Sequence, residues 1–113
     1  MIVYKICSAP EWRAAERAGV FEGSAVDRRD GFIHFSTAAQ VAETAAKHFA
    51  GKRDLVLVAI DADRLGANLK WEPSRGGALF PHLYAPFTLD AVVFVRPLPL
   101  GEDGRPAVPP LDR

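Results

Sequence analysis

The chain has 113 residues, and its 14 Lys and Arg balance 14 Asp and Glu, so the formal net charge is zero. This balance disfavours nucleic acid as a partner, because that affinity comes largely from cationic side chains that neutralise phosphates. The longest apolar run, at residues 55–60, is far shorter than the roughly 20 residues of a membrane-spanning helix. The single cysteine, Cys7, cannot form an internal disulfide. With no signal peptide visible, we expect one cytoplasmic domain without a membrane segment.

The first elements in the chain are a strand and a helix. Residues 2–6 are rich in apolar residues, which predicts a strand. Ser8 and Glu11 form a capping-box pattern that predicts the start of a helix, and Gly19 is typical of its end. The polar residues 23–29 then predict a loop.

A second strand and a second helix follow. An Asp-Gly pair at residues 30–31 predicts a turn, and residues 32–36 are rich in strand-forming side chains. Thr37 and Gln40 repeat the capping-box pattern and predict a helix that runs to about Phe49.

The rest of the chain predicts strands and a tail. Four extended segments cover residues 54–61, 69–72, 79–84 and 89–95. The first is strongly apolar and predicted to be central, whereas Pro81 predicts that the third is an edge strand or irregular. The predicted fold class is α+β, in which two helices pack on a mostly antiparallel, partly mixed sheet over residues 1–98. Residues 99–113 are rich in proline and predict an extended or disordered tail.

The strand at residues 32–36 contains the first candidate site. His34 and Ser36 would share one face of the strand, and Ser36 and Thr37 would lie at a helix N-terminus, where free amides favour a polar or anionic ligand. The structural alternative is that a hydroxyl only caps the helix and that His34 is a core histidine with satisfied hydrogen bonds.

The segment at residues 79–84 contains the second candidate site. Phe80, His82 and Tyr84 would alternate onto one face, and this combination suits a planar ligand that stacks on a ring and accepts a hydrogen bond. The alternative is that both aromatic rings belong to the core while His82 bonds to the backbone.

Glu72 is the candidate acid, because Trp71 and Pro73 flank it and restrain its backbone. Its carboxylate could act as a base or stabilise a developing cation, although most single glutamates are only solvated. His34, His82 and Glu72 are also ligand types for zinc. No two of them have metal-binding spacing in the sequence, so we predict no metal site.

The motifs Gly-Phe-Ile-His-Phe-Ser-Thr at residues 31–37 and Phe-Pro-His-Leu-Tyr at residues 80–84 resemble those of the domain of unknown function (DUF) 952 family. More distantly, the order of elements is similar to the ADP-ribosyltransferase-like fold, whose enzymes split NAD at the nicotinamide bond. That resemblance implies NAD as the cofactor and a glutamate that steadies a positively charged ribose, for which Glu72 is the best candidate. Lys5 stands on the first strand where a His or Arg is expected, and a shared fold does not establish a shared activity.

The predicted function is binding of a small, planar, nucleotide-like ligand, with glycosyl-transfer chemistry. His34, His82 and Glu72 are its predicted catalytic residues. Ser36, Thr37, Phe80 and Tyr84 are its predicted ligand-binding residues. The rival prediction is a non-catalytic interaction or dimerisation domain that uses an exposed aromatic edge at residues 80–87.

Overall fold

A computed structural model of the chain describes residues 1–111 and contains three sheets and three α-helices in that part of the chain. In chain order the elements are β1 (Ile2–Ser8), α1 (Ala9–Ala18), β2 (Val20–Phe21), α2 (Ala25–Asp30), β3 (Ile33–His34), α3 (Val41–His48), β4 (Leu55–Asp61), β5 (Leu69–Ser74), β6 (Ala78–Leu83), β7 (Phe87–Thr88) and β8 (Val92–Leu98). Short 3-10 turns precede β5, β6 and β8. Each ladder between these strands is antiparallel, so the α+β class is confirmed without the parallel pairing that the sequence left open.

The largest sheet has the strand order β1-β4-β8, which confirms that β4 is central. Both faces of this sheet are covered. Val58 and Ile60 of β4 pack in one core, to which α1 contributes Trp12. Leu57 and Ala59 face a second core on the side of α3. β4 is therefore apolar on both faces, which explains its continuous run of apolar residues.

The second three-stranded sheet has the order β3-β6-β5, so β6 is central although it contains Pro81. The predicted edge position of this segment is therefore wrong. Pro81 accepts a hydrogen bond from the Phe35 amide at 3.0 Å, just beyond the end of β3. In an antiparallel strand the nitrogen and carbonyl of one residue point to the same side. The missing N–H of Pro81 therefore faces the end of β3, and the ladder with β5 loses no hydrogen bond.

The predicted loop at residues 23–29 is mostly the helix α2, which is a correction to the expected two-helix architecture. Ser24 and Asp27 form a complete capping box at its start. Gly31, with φ 87°, ends α2 in the left-handed conformation that glycine adopts without strain. The Asp-Gly pair at residues 30–31 forms the predicted turn, and this turn closes the helix α2.

The predicted strand at residues 32–36 is divided between two sheets. His34 pairs with His82 in the smaller sheet, whereas Ser36 forms an isolated bridge with Tyr4 of β1. The chain therefore crosses from one sheet to the other within two residues. This crossing joins the smaller sheet to the larger one and places β3 beside β1.

The segment from Pro99 to Leu111 folds back on itself. Leu100 and Pro106 form an isolated bridge, and the Ala107 amide donates to the Pro99 carbonyl at 2.7 Å. Val108 and Leu111 pack against the second core. The boundary between a domain at residues 1–98 and a tail at residues 99–113 stays a prediction, and residues 112–113 lie outside the described residues. Within the described chain, no helix combines the length and the apolar character that crossing a membrane requires.

Candidate functional site

The structure brings together side chains of three neighbouring strands and of the residues next to their ends. We call this group the imidazole cluster; its members are Phe32, His34, Glu72, His82 and Tyr84. His34 on β3 and His82 on β6 are directly opposite each other in the ladder, so both side chains project from the same face of the sheet. Their ring centroids are 5.7 Å apart. The two histidines are therefore close enough to contact one small molecule.

Glu72 connects His82 with Tyr84. Its Oε1 lies 2.8 Å from His82 Nδ1 and accepts a hydrogen bond from the Tyr84 hydroxyl at 2.7 Å. The alternation of β6 explains this geometry, because residues two apart in a strand lie on one face and Glu72 lies on the adjacent strand β5. One carboxylate thus orients both an imidazole and a phenol.

The second ring nitrogen of His82, Nε2, does not contact Glu72. His82 is 6% exposed, and among the described side chains of residues 1–74 and 76–111 its Nε2 has no hydrogen-bond partner. Among the described residues, one fully buried side-chain nitrogen lacks a hydrogen-bond partner, and it is Trp12 Nε1, not His82 Nε2. His82 Nε2 is therefore not fully enclosed.

His34 is held by two acidic residues of α2. Its Nδ1 lies 2.7 Å from Asp27 Oδ1, and its Nε2 lies 2.9 Å from Asp30 Oδ2. Asp27 in turn binds the Lys5 ammonium at 2.8 Å, and the side chains of this ion pair are 1% and 4% exposed. A buried ion pair thus lies directly behind an imidazole that is one-third exposed.

Phe32 covers the two histidines. Its ring stacks on His82 with a centroid distance of 4.1 Å and an interplanar angle of 27°. It also lies 4.5 Å from the His34 ring and 5.3 Å from the Tyr84 ring. The cluster therefore has an aromatic centre surrounded by nitrogen and oxygen atoms.

The carboxylates of the site are held in their ionised form. Burial raises the pKa of Asp27, but the hydrogen bond from His34 and the charge of Lys5 lower it more, so the net pKa lies well below its usual range. Hydrogen bonds from Tyr84 and then from His82 lower the pKa of Glu72. The same bond to Glu72 raises the pKa of Tyr84, because the phenolate would lose it and lie beside a negative charge.

Ser36 and Thr37 do not lie at the predicted helix N-terminus. The helix α3 begins at Val41, and its N-cap residue, Gln40, makes no side-chain capping bond. Gln40 accepts a hydrogen bond from the Thr37 amide at 3.0 Å, so half of the predicted capping box exists, but it closes a turn before the helix. The Ser36 hydroxyl is buried and lies 3.0 Å from that of Thr44.

Phe80 is also placed differently from the expectation. It is 4% exposed, and the ring that stacks on His82 is that of Phe32, which is not among the site residues that the sequence predicts. Phe87 is equally buried, whereas Tyr84 is 46% exposed. The aromatic edge expected at residues 80–87 is therefore mostly interior.

A cavity of about 220 Å³ lies next to the imidazole cluster. Its lining includes Phe32, Tyr84 and Asp27 and does not include His34, His82 or Glu72. This volume is below the roughly 300 Å³ at which pockets for drug-sized ligands begin. The cavity is therefore large enough for one planar ring and too small for a dinucleotide.

Lys5, Asp27 and Phe32 are the site residues that the sequence does not reveal. A signal exists for one of them, because Ser24 and Asp27 have the spacing of a capping box. Among residues 1–111, no group of three or more His, Cys, Asp or Glu side chains is arranged to hold a metal ion.

Comparisons with known proteins agree on one family. Residues 6–95 match the family model described as "Protein of unknown function (DUF952)". A crystal structure of protein CC0527 from Caulobacter crescentus is 54% identical, with a TM-score of 0.91, and the match covers 95% of this chain and 94% of that chain. The solution NMR structure of CC0527 is 55% identical over 93% of this chain and 90% of that chain, with a TM-score of 0.83. No curated protein matches the chain.

Proposed function

The chain belongs to the DUF952 family, and we propose that it binds a small, planar, nucleotide-like ligand at the imidazole cluster. One observation supports this most: two histidines from distant parts of the sequence lie 5.7 Å apart, each with Nδ1 on a carboxylate. A carboxylate that accepts from Nδ1 leaves Nε2 as the nitrogen that can meet a ligand, which at His34 would have to replace Asp30. Polar groups that converge in this way around aromatic rings are typical of binding sites.

The proposed ligand would have one flat ring and a polar group beside it. Its ring would stack on Phe32 or Tyr84, and the volume of the adjacent cavity suits a nicotinamide or a nucleobase. His34 and His82 would bind the hydroxyls of a ribose. The remainder of a larger ligand, such as the adenosine of NAD, would lie on the surface outside the cavity.

We extend the proposal to glycosyl transfer from NAD. The bond between the ribose carbon and the nicotinamide nitrogen would break, with its electron pair leaving on the nicotinamide. A water oxygen would add to the ribose carbon and lose its proton to an imidazole. Glu72 is suited to stabilise the positive charge on the sugar, because the hydrogen bonds from Tyr84 and His82 keep its pKa low and its carboxylate ionised.

Titration calorimetry with NAD, nicotinamide mononucleotide and ADP-ribose tests the binding. We expect at least one of them to bind, and His82→Ala to weaken that binding at least tenfold. His48→Ala is the matched control, because His48 is an exposed histidine of α3 outside the cluster. If none of the three compounds binds the wild-type protein, the proposal is refuted.

The catalytic extension has a separate test. Release of nicotinamide from NAD, followed by chromatography, should fall at least 100-fold in Glu72→Gln, which is the scale for loss of one electrostatic stabiliser of a transition state. NAD affinity should change less than threefold. Binding without any release of nicotinamide would leave a binding protein and reject the transferase.

The rival function, an interaction or dimerisation domain, loses its main support in this structure. Phe80 and Phe87, two rings of the proposed contact edge, are each 4% exposed. Light scattering, which measures the molar mass in solution, directly distinguishes a monomer from the dimer that the rival function requires. A dimer that hides the histidine rings would favour the rival.

A further inference from the structure

We propose that Asp27 positions His34, and that the buried Lys5 holds Asp27 in the orientation that this requires. The inference rests on the proposed function, because it assigns His34 Nε2 as the atom that meets the ligand. Asp27 would not touch the ligand and is therefore a positioning residue.

Several donors converge on the carboxylate of Asp27. Oδ1 lies 2.7 Å from His34 Nδ1, accepts from the His34 amide at 3.1 Å and binds Lys5 Nζ at 2.8 Å. Oδ2 accepts from the Ser24 amide and also binds Lys5 Nζ, each at 2.8 Å. With both oxygens held, the carboxylate cannot rotate, and its Oδ1 stays directed at the imidazole.

The contact between Asp27 and Nδ1 also selects the protonation form of the His34 ring. An ionised carboxylate can only accept hydrogen bonds, so it selects the form of His34 with a proton on Nδ1. Asp30 is also an acceptor, so Nε2 donates to it while that contact holds, and Nε2 has its lone pair in the neutral ring only once Asp30 is displaced. Two bonds from one residue, through the amide and the ring, also fix the ring orientation.

Asp30 is the other acidic neighbour of the His34 ring. Asp30 Oδ2 lies 2.9 Å from Nε2, but Asp30 is exposed and also accepts from Arg29 Nε at 3.0 Å. A solvated carboxylate costs little to displace, whereas the buried Asp27 has no solvent to replace its partners. A ligand hydroxyl would therefore replace Asp30 at Nε2, while Asp27 remains at Nδ1.

Lys5 is necessary because Asp27 is almost fully buried. A buried carboxylate without a cation would tend to take up a proton and could then act as a donor. It would no longer select one form of His34. The ion pair therefore supports the His34 contact from the side opposite the ligand.

NMR correlation of the ring protons with the two ring nitrogens of His34 tests the inference without any ligand, so its result is independent of whether a nucleotide binds. At pH 8 we expect Nδ1 to be protonated in the wild-type protein and to stay protonated in Asp30→Ala, which removes the acceptor at Nε2. Asp27→Asn should reverse this, because the amide can donate to Nδ1 and leave the proton on Nε2. A wild-type protein with an unprotonated Nδ1 would overturn the inference even if the variants failed to fold.

Ser24→Ala is the matched control. It removes the side-chain cap that Asp27 and Ser24 share, and it leaves the Asp27 carboxylate present. We expect lower stability of α2 and an unchanged protonation form of His34. If the form changed equally in Ser24→Ala and Asp27→Asn, Asp27 would be only a helix cap.

Discussion

The buried pair of Lys5 and Asp27 gives the sharpest prediction for stability. In Lys5→Met the apolar part of the side chain is kept and the charge is lost, so Asp27 remains buried without a cation. Removal of one partner of a buried ion pair costs roughly 3–5 kcal/mol. Three hydrogen bonds from Ser24 and His34 remain on Asp27, so we expect the lower end, about 3 kcal/mol. For a domain of this size that loss lowers the melting temperature by roughly 12 °C.

The acid dependence of this loss has a defined sign. The folded-state pKa of Asp27 lies below the value of roughly 3.9 in an unfolded chain, so its stabilisation is present above that value and is lost as the pH falls below it. In Lys5→Met the cation that lowers the pKa is missing, and less stabilisation remains to be lost. The difference in unfolding free energy between the two proteins should therefore shrink by roughly 1 kcal/mol between pH 7 and pH 3.

Urea unfolding followed by circular dichroism at pH 7, 5 and 3 measures both effects. Arg29→Met is the control for loss of a positive charge, because its side chain is 73% exposed. It should leave the unfolding midpoint unchanged. A Lys5→Met protein within 1 kcal/mol of the wild type at pH 7, or a difference independent of pH, would show that the pair does not stabilise the fold as we argue.

Three further predictions concern single groups. Burial raises the pKa of Cys7 to about 12. A thiol reagent at pH 8 should therefore modify Cys7 at least 100-fold more slowly in the native protein than in denaturant. Equal rates would mean that the thiol is accessible. The hydrogen bond to Glu72 raises the pKa of Tyr84. In a pH titration, the difference in phenolate absorbance between wild type and Tyr84→Phe should therefore have its midpoint above the usual value of about 10. Glu72→Gln should lower that midpoint, and an unchanged midpoint would contradict the hydrogen bond. Phe32→Ala should cost roughly 1–2 kcal/mol in urea unfolding, less than the 3–5 kcal/mol of a core phenylalanine, because Phe32 is only partly buried; no loss would mean that its stacking on His82 does not stabilise the protein.

Local sequence patterns predict the elements whose partners are near in the chain. The capping box of Ser8 and Glu11 forms as expected, with the Ser8 amide 3.0 Å from the Glu11 carboxylate. β4 is central because its apolar run requires cover on both faces. The helix α2 escapes prediction because its six residues, of which four are charged, show no apolar period. Its capping box was the available signal.

The pairing of His34 with His82 was predicted only in part. Alternation places Phe80, His82 and Tyr84 on one face, but it does not reveal which strand lies beside β6. That depends on the crossing of the chain between sheets after His34, a long-range feature. For the same reason Ser36, which was expected beside His34, pairs with Tyr4 instead.

Lys5 shows why the sequence hides the support of the site. A charged residue within an alternating strand is usually interpreted as facing solvent. In β1, however, Val3 and Cys7 face one core and Tyr4 and Ile6 face the other, so neither face of the strand is open. A charge in such a strand requires a buried partner of opposite sign. The capping box of α2 already holds a carboxylate at Asp27, and a single residue can therefore complete the helix start, neutralise the strand and orient His34.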